Sequence, residues 1–157
     1  AWRGANVVLV GRHDYRLKLF GPDVMRHTIN ARQTDWVQAV RDLLPERIRV
    51  AVDTVGSIDA LTTLQPMMAK FGHMVSAGFM GVDDLLSLQL MRDGELSLDF
   101  VSGWTRPRMD HTRELIAAGY LQTLPLITHR FPAAQAADAW ALIESKREPV
   151  LGVILDW

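Results

Sequence analysis

The 157 residues include no cysteine, which excludes disulfides and thiolate-held metals built from this sequence. Long apolar runs are missing too. The longest, such as Val7-Val8-Leu9-Val10 and Val150-Leu151-Gly152-Val153-Ile154-Leu155, fall far short of the roughly 20 residues that a membrane-crossing helix needs. Neither sign of charge dominates: 17 Lys and Arg meet 18 Asp and Glu, for a formal charge of −1. No bulk field therefore draws the chain to nucleic acid or to a membrane surface. Ala1-Trp2-Arg3-Gly4 lacks the charged and apolar segments of a signal peptide, so a cytoplasmic location is the expectation. The sequence also opens without Met and enters a strand-like run with no cap or turn before it, so an upstream portion is expected to be absent. What is present suits one globular domain, since 48% hydrophobic and 22% charged residues over this length suffice for a buried core.

Strand-like runs alternate with helical patterns. Ala5-Asn6-Val7-Val8-Leu9-Val10 is continuously β-branched and apolar, as a strand covered on both faces would be. Arg49-Val50-Ala51-Val52-Asp53 and His73-Met74-Val75-Ser76-Ala77-Gly78 repeat that character, and Ser97-Leu98-Asp99-Phe100-Val101-Ser102 is a fourth candidate. Thr34 is placed to cap a helix over 35–44, with Trp36, Val37, Val40, Leu43 and Leu44 on one face and Pro45 ending it. Ser57 is placed to cap another over 58–70, kinked by Pro66. A third is expected over 83–91, where Asp83 and Asp84 suit the positive dipole end of the first turn. A fourth spans 109–118 with Gly119 as its stop. The fifth, over 133–145, turns Ala136, Ala137, Trp140 and Ile143 inward. Such alternation implies βαβ crossovers and a parallel sheet, an α/β fold. It breaks near residue 120. From there 124–131 and 150–155 read as two strands flanking one helix, an appendage rather than a continuation of the sheet. No internal repeat, low-complexity tract or linker is present.

Three stretches carry a resemblance. Val52-Asp53-Thr54-Val55-Gly56 is a strand ending in Asp-x-x-Gly, and Gly72-His73-Met74-Val75-Ser76-Ala77-Gly78 is a next strand ending in Gly. Gly103-Trp104 leads through a helix to Ile116-Ala117-Ala118-Gly119. Leu126-Ile127-Thr128-His129-Arg130-Phe131-Pro132 precedes an Ala-rich helix and the closing Gly152-Val153-Ile154-Leu155-Asp156-Trp157. With these the chain resembles, over essentially its whole length, the medium-chain dehydrogenase/reductase superfamily, which includes zinc alcohol dehydrogenases. The last block is the most specific. Leu90-Met91-Arg92, Ile127-Thr128-His129-Arg130 and the Asp156-Trp157 ending are similar to one branch, which acts on the hydroxyethyl group of a tetrapyrrole.

The resemblance implies a Rossmann-type parallel sheet that binds a nicotinamide dinucleotide over residues 1–120. Residues 121–157 would be a strand-helix-strand segment returning to a GroES-like catalytic domain. Members of the family are much longer, and that catalytic domain comes first. Their G-x-G-x-x-G turn is absent here, so the first βα unit is expected to be missing, and the strands after 124 to lack partners. The resemblance also implies a homodimer joined near the strand at 97–102.

Ligands of such sheets lie at the C-terminal strand ends, which points to Gly11-Arg12, Val55-Gly56, Gly78-Phe79 and Ser102-Gly103-Trp104. Where an NAD-preferring relative carries an acidic residue on the ribose, this chain has Gly11, then Arg12, His13, Asp14, Tyr15 and Arg16. Losing a carboxylate removes repulsion of a 2′-phosphate, and a guanidinium offers it forked donors. The resemblance therefore implies NADP, with NAD the alternative; Arg12 is the main contact and His13 and Arg16 are secondary. Gly56 and Gly78 are expected to let backbone approach the cofactor, and Ser102 and Trp104 to flank the nicotinamide or substrate pocket. Without the resemblance, these also read as solvated charges, turn glycines and an ordinary core or interface Trp.

No catalytic residue and no metal ligand is expected within the sequence. His13, His27, His73, His111 and His129 show no ligand spacing, and a zinc ion, if used, would be held by residues outside this chain. Three readings follow: the cofactor-binding part of an alcohol- or carbonyl-acting oxidoreductase, inactive alone; the tetrapyrrole-specific form of that enzyme; or a non-catalytic binding and assembly remnant of the fold.

Overall fold

Strand-forming runs separated by amphipathic stretches need crossovers to lie parallel, and the computed structural model, which describes residues 4–20, 27–81 and 85–157, shows what they build. In chain order the first elements are β1 (Val8–Gly11), α1 (Asp14–Leu17), β2 (His27–Asn30), α2 (Trp36–Leu43), β3 (Ile48–Asp53) and α3 (Ile58–Leu64). Then come β4 (Met68–Ser76), α4 (Leu88–Asp93), β5 (Ser97–Phe100), α5 (Arg106–Ala117), β6 (Ile127–Pro132), α6 (Ala136–Ser145) and β7 (Gly152–Asp156). They fall into two units, Ile29–Trp104, and Ala1–Thr28 with Thr105–Trp157. No helix among the described residues is long and apolar enough to cross a membrane.

The unit Ile29–Trp104 holds a parallel sheet in the order β3-β4-β5. Alternation along the strands selects its buried face. Ala51 and Asp53 on β3 and Met68, Met74 and Ser76 on β4 are buried, whereas Val50 and Val52 are each 60% exposed. The core is Ala51, Leu61, Met68 and Met74, edged by Leu64, Met80, Leu86, Met91, Leu96 and Leu98. The opposite face carries a polar link in which His73 reaches Ser97 Oγ at 3.2 Å through Nδ1 and Asp99 at 3.2 Å through Nε2.

At the N-terminal side of this sheet, β4 bulges. The register moves from Ile48↔Met68 to Val50↔His73, so β4 carries extra residues against β3. Phe71 sits there at φ 63, its N–H donating to the Gly94 carbonyl at 2.9 Å, while Lys70 and Glu95 pair at 2.8 Å. From His73 onward the pairing is regular on both sides, ending with Asp53↔Ser76 and Ser76↔Phe100. That regular end brings Asp53, Ser76 and Phe100 into one row.

β1 pairs with β2, whose residues fall on both sides of the division at Thr28, in a two-stranded sheet, and in the other unit β6 pairs with β7 in a second, parallel one. The expectation that the strands after 124 lack partners is corrected: they pair with each other, with α6 as the crossover. Thr128 Oγ1 ties the pair, donating to the Gly152 carbonyl at 3.2 Å and accepting from Leu151 N–H at 3.1 Å. His129 is held by Thr128 at 2.8 Å and Glu148 at 3.4 Å.

Other expectations are corrected with reasons. β1 is half-exposed rather than covered on both faces, because its two-stranded sheet leaves it an edge. β2 and the short α1 were not expected from the sequence. The helix after Ser57 stops at Leu64, a 3₁₀ turn takes Gln65–Met67, and Met68 to Lys70 are strand, because Pro66 supplies no N–H to continue an α-helix. The helix expected over 83–91 is found at Leu88–Asp93, capped by Ser87; the positions of Asp83 and Asp84 lie outside the described residues. α5 starts at Arg106, a turn earlier than expected, with Pro107 in its first turn, where a missing N–H costs nothing. On α6 the buried residue is Ala139, whereas Trp140 faces outward and donates to Glu144 at 3.0 Å.

The cap of α2 is Asp35, not Thr34: its Oδ1 accepts from Val37 N–H at 3.0 Å and Gln38 N–H at 3.3 Å. Asp35→Ala is therefore expected to lose about 1 kcal/mol by chemical denaturation, the usual worth of a cap. Thr34→Ala should lose nearly nothing, and the reverse order would return the cap to Thr34.

Candidate functional site

The C-terminal end of β3 turns sharply into α3, and one carboxylate organises the turn. Asp53 Oδ1 accepts from Val55 N–H at 3.0 Å. Its Oδ2 accepts from Gly56 N–H at 2.9 Å, Ser57 N–H at 3.3 Å and the Ser76 hydroxyl at 3.2 Å. Ser57 in turn caps α3, accepting from Ala60 N–H at 3.2 Å. The ladder continues just past the strands, with Ala77 N–H donating to the Asp53 carbonyl at 2.8 Å and Val101 N–H to the Ser76 carbonyl at 2.9 Å.

Two loops meet over this end. A Cβ at Gly56, whose φ is +83, would fall on the Phe79 backbone, and a Cβ at Gly78 on the backbone of Val55 and Gly56. The glycines are thus required by one another, loop against loop, before any ligand is considered. The interlock throws the Phe79 ring outward, 99% exposed.

Beside the interlock lies a cavity of about 450 Å³, within the size range of small-molecule sites. Ile58, Leu61, Met80 and Leu86 form its apolar wall, and Ser76 and Ser102 are the hydroxyl-bearing residues of its lining. Gly78, Phe79, Phe100 and Gly103 also belong to it, and among the described residues no charged side chain lines it. Such a cavity suits a neutral or aromatic group held by backbone and hydroxyls, not a phosphate.

Of the residues singled out in the sequence, Gly78, Phe79 and Ser102 line this cavity, and Val55 and Gly56 form the turn interlocked with its wall. Trp104 is 69% exposed and lies outside the lining. Gly11, Arg12, His13 and Arg16 belong to the other unit, where Gly11 ends β1. Arg16 is engaged locally, its Nε donating to Tyr15 Oη at 3.0 Å and its guanidinium 5.5 Å from the Tyr15 ring. His13 lies 5.6 Å from the same ring. Arg12 is exposed, with no partner among the described residues. The sequence reading missed Ser76 and Asp53 as site residues, although Asp53 begins the Asp-x-x-Gly stretch that it noted. A carboxylate three residues ahead of a glycine at a strand end was the available signal.

A family model described as zinc-binding dehydrogenase matches residues 25–149. The chain belongs to the zinc-binding dehydrogenase family. Within that family it is 34% identical over 109 residues to 2-desacetyl-2-hydroxyethyl bacteriochlorophyllide A dehydrogenase of Cereibacter sphaeroides, a match covering 69% of this chain and 34% of that protein. The protein of the same description from Rhodobacter capsulatus is 32% identical over 105 residues, covering 67% and 33%. The chain thus spans about a third of the length of the curated relatives it matches. Among solved structures, an alcohol dehydrogenase from E. coli CFT073, complexed with NADH, superposes with a TM-score of 0.85 at 21% identity, over 99% of this chain and 46% of that one. That likeness shows the fold, a Rossmann-type part with parallel sheets.

The family implies zinc and a nicotinamide cofactor. For zinc the residues do not fit: among those described, no group of three His, Asp or Glu side chains could hold a metal, and there is no cysteine. For the nicotinamide end of a dinucleotide, an aromatic ring with a carboxamide, they do fit, through the cavity at the ends of β4 and β5.

Proposed function

We propose that this chain is the cofactor-holding part of an NAD(P)-dependent oxidoreductase that moves hydride between nicotinamide and an alcohol or carbonyl, and that it is inactive alone. The observation that carries the reading is the cavity at the C-terminal ends of parallel strands, uncharged among the described residues, in a chain of the zinc-binding dehydrogenase family. In this reading Ser76 and Ser102 orient the carboxamide end and the apolar wall excludes water. The cofactor supplies hydride chemistry when bound; the chain supplies position. Residues 1–120 are the dinucleotide-binding portion and 121–157 belong with the catalytic domain. Zinc, where used, is held elsewhere. The assembly is a cytoplasmic homodimer meeting near β5.

NADP is the proposed cofactor, with Arg12 on the 2′-phosphate, supported by Gly11 where a carboxylate would repel that group and by the exposed Arg12 guanidinium. Titration with NADPH and NADH, read by energy transfer from tryptophan, tests both claims. Arg12→Ala should weaken NADPH by about tenfold or more, the worth of one charge-assisted contact, and leave NADH unchanged. Equal losses for both nucleotides would remove Arg12 from the 2′-phosphate. Binding of neither to the folded protein would end the cofactor reading.

The two curated relatives favour a narrower second reading, oxidation of the hydroxyethyl group of a bacteriochlorophyllide. Turnover of that substrate, but not of simple alcohols, by the polypeptide together with its catalytic domain would decide for it.

A further inference from the structure

We infer that Asp53 is the positioning residue of this cavity: its carboxylate locks the Val55–Ser57 turn onto the end of β4 and so fixes the two interlocked loops that a nicotinamide would meet. The inference rests on the cofactor reading above for its ligand, and on geometry alone for the lock.

Four donors converge on one carboxylate that is 7% exposed in residue terms. Three are backbone N–H groups of the turn, which have no strand or helix partner of their own at this corner. The fourth comes from the neighbouring strand, so the carboxylate joins two elements rather than closing only its own loop. The interlock needs this. Gly56 and Gly78 meet backbone to backbone, and neither has a side chain to hold that contact.

The same bond sets the chemistry of the wall. A carboxylate only accepts, so the single Ser76 hydroxyl proton goes to Asp53. Met80 Sδ, at 3.6 Å, is a weaker acceptor and does not compete. Ser76 lines the cavity, so what it offers there is an acceptor, suited to an amide N–H or hydroxyl donor on the ligand. Asp53 thus acts through Ser76 and through the turn without touching the ligand.

Asparagine tests this, because it keeps the shape but replaces one acceptor oxygen with a donor facing N–H groups. In Asp53→Asn, amide hydrogen exchange at Val55, Gly56 and Ser57 should quicken by about tenfold or more beyond the global change, the factor expected when a hydrogen bond to a charged group is lost. Met68→Ala, a core change at the far end of β4, serves as the control for lost stability, and its exchange should rise without that local excess. NADH affinity should fall at least as far in Asp53→Asn, fall less in Ser76→Ala, and hold in Met68→Ala. Exchange in Asp53→Asn that merely follows the global loss would overturn the lock. Unaltered NADH binding despite local unlocking would overturn its role in the cavity. If no variant, and not the parent either, binds a nicotinamide nucleotide, the cofactor reading falls while the exchange data still decide the lock.

Discussion

Gly78→Ala is expected to lower stability by about 3 kcal/mol, the upper part of the range for overpacking. The added methyl would land on the backbone of Gly56 and Val55, and backbone cannot rotate aside as a side-chain tip would. The turn after β3 is itself held by Asp53 at three points and tied to β4 through Ser76, so strain at Gly78 passes directly into it. Gly56→Ala meets Phe79 in the same way and adds the left-handed penalty of its φ of +83, about 1–2 kcal/mol. Gly103→Ala separates the two effects. Its φ is +65 but nothing lies within 4 Å of the new methyl, so only the conformational penalty should appear. Chemical denaturation of the three variants gives the order, and a Gly78→Ala protein as stable as the parent would mean that the loops do not abut.

Met74→Ala should cost about 3 kcal/mol, within the range for emptying a buried methionine site. Met74 is fully buried on the central strand of β3-β4-β5 and packs among Ala51, Leu61 and Met68. Met74→Leu keeps the volume and should lose less than about 1.5 kcal/mol. Val52→Ala, on the exposed face of β3, should change stability by no more than about 0.5 kcal/mol, as surface substitutions do. Denaturation midpoints and slopes distinguish the two faces, and a larger loss at Val52 than at Met74 would reverse the assignment of the core.

Element type was largely legible where a pattern ran long enough. The apolar stripe of α2 and the runs at β3, β4 and β5 announced themselves through period and β-branching. β2 did not, because His27-Thr28-Ile29-Asn30 has one apolar residue and owes its form to pairing. Boundaries shifted wherever proline or a cap outweighed the apolar period: Pro66 ended α3 early, Pro107 let α5 begin early, and Ser87 moved α4. The site was legible as a set of strand ends, since loops diverge there in any parallel sheet. Its internal logic was not. That Gly56 and Gly78 exclude each other's side chains, and that Asp53 reaches Ser76 on the next strand, are facts about residues over 20 apart in sequence, which no local pattern records. That the described lining carries no charge was equally hidden, because a linear sequence does not say that Arg12 and Arg16 lie in a different unit.

The bulge near Phe71 has a consequence for engineering. Regular pairing resumes at His73 on both flanks of β4, so the register near Ser76 is set downstream of the irregular stretch. Residues 69–72 can therefore change in number without passing a shift along the strand. A tag or reporter peptide spliced there, on the opposite side of the sheet from the cavity, would leave the row of Asp53, Ser76 and Phe100 in step.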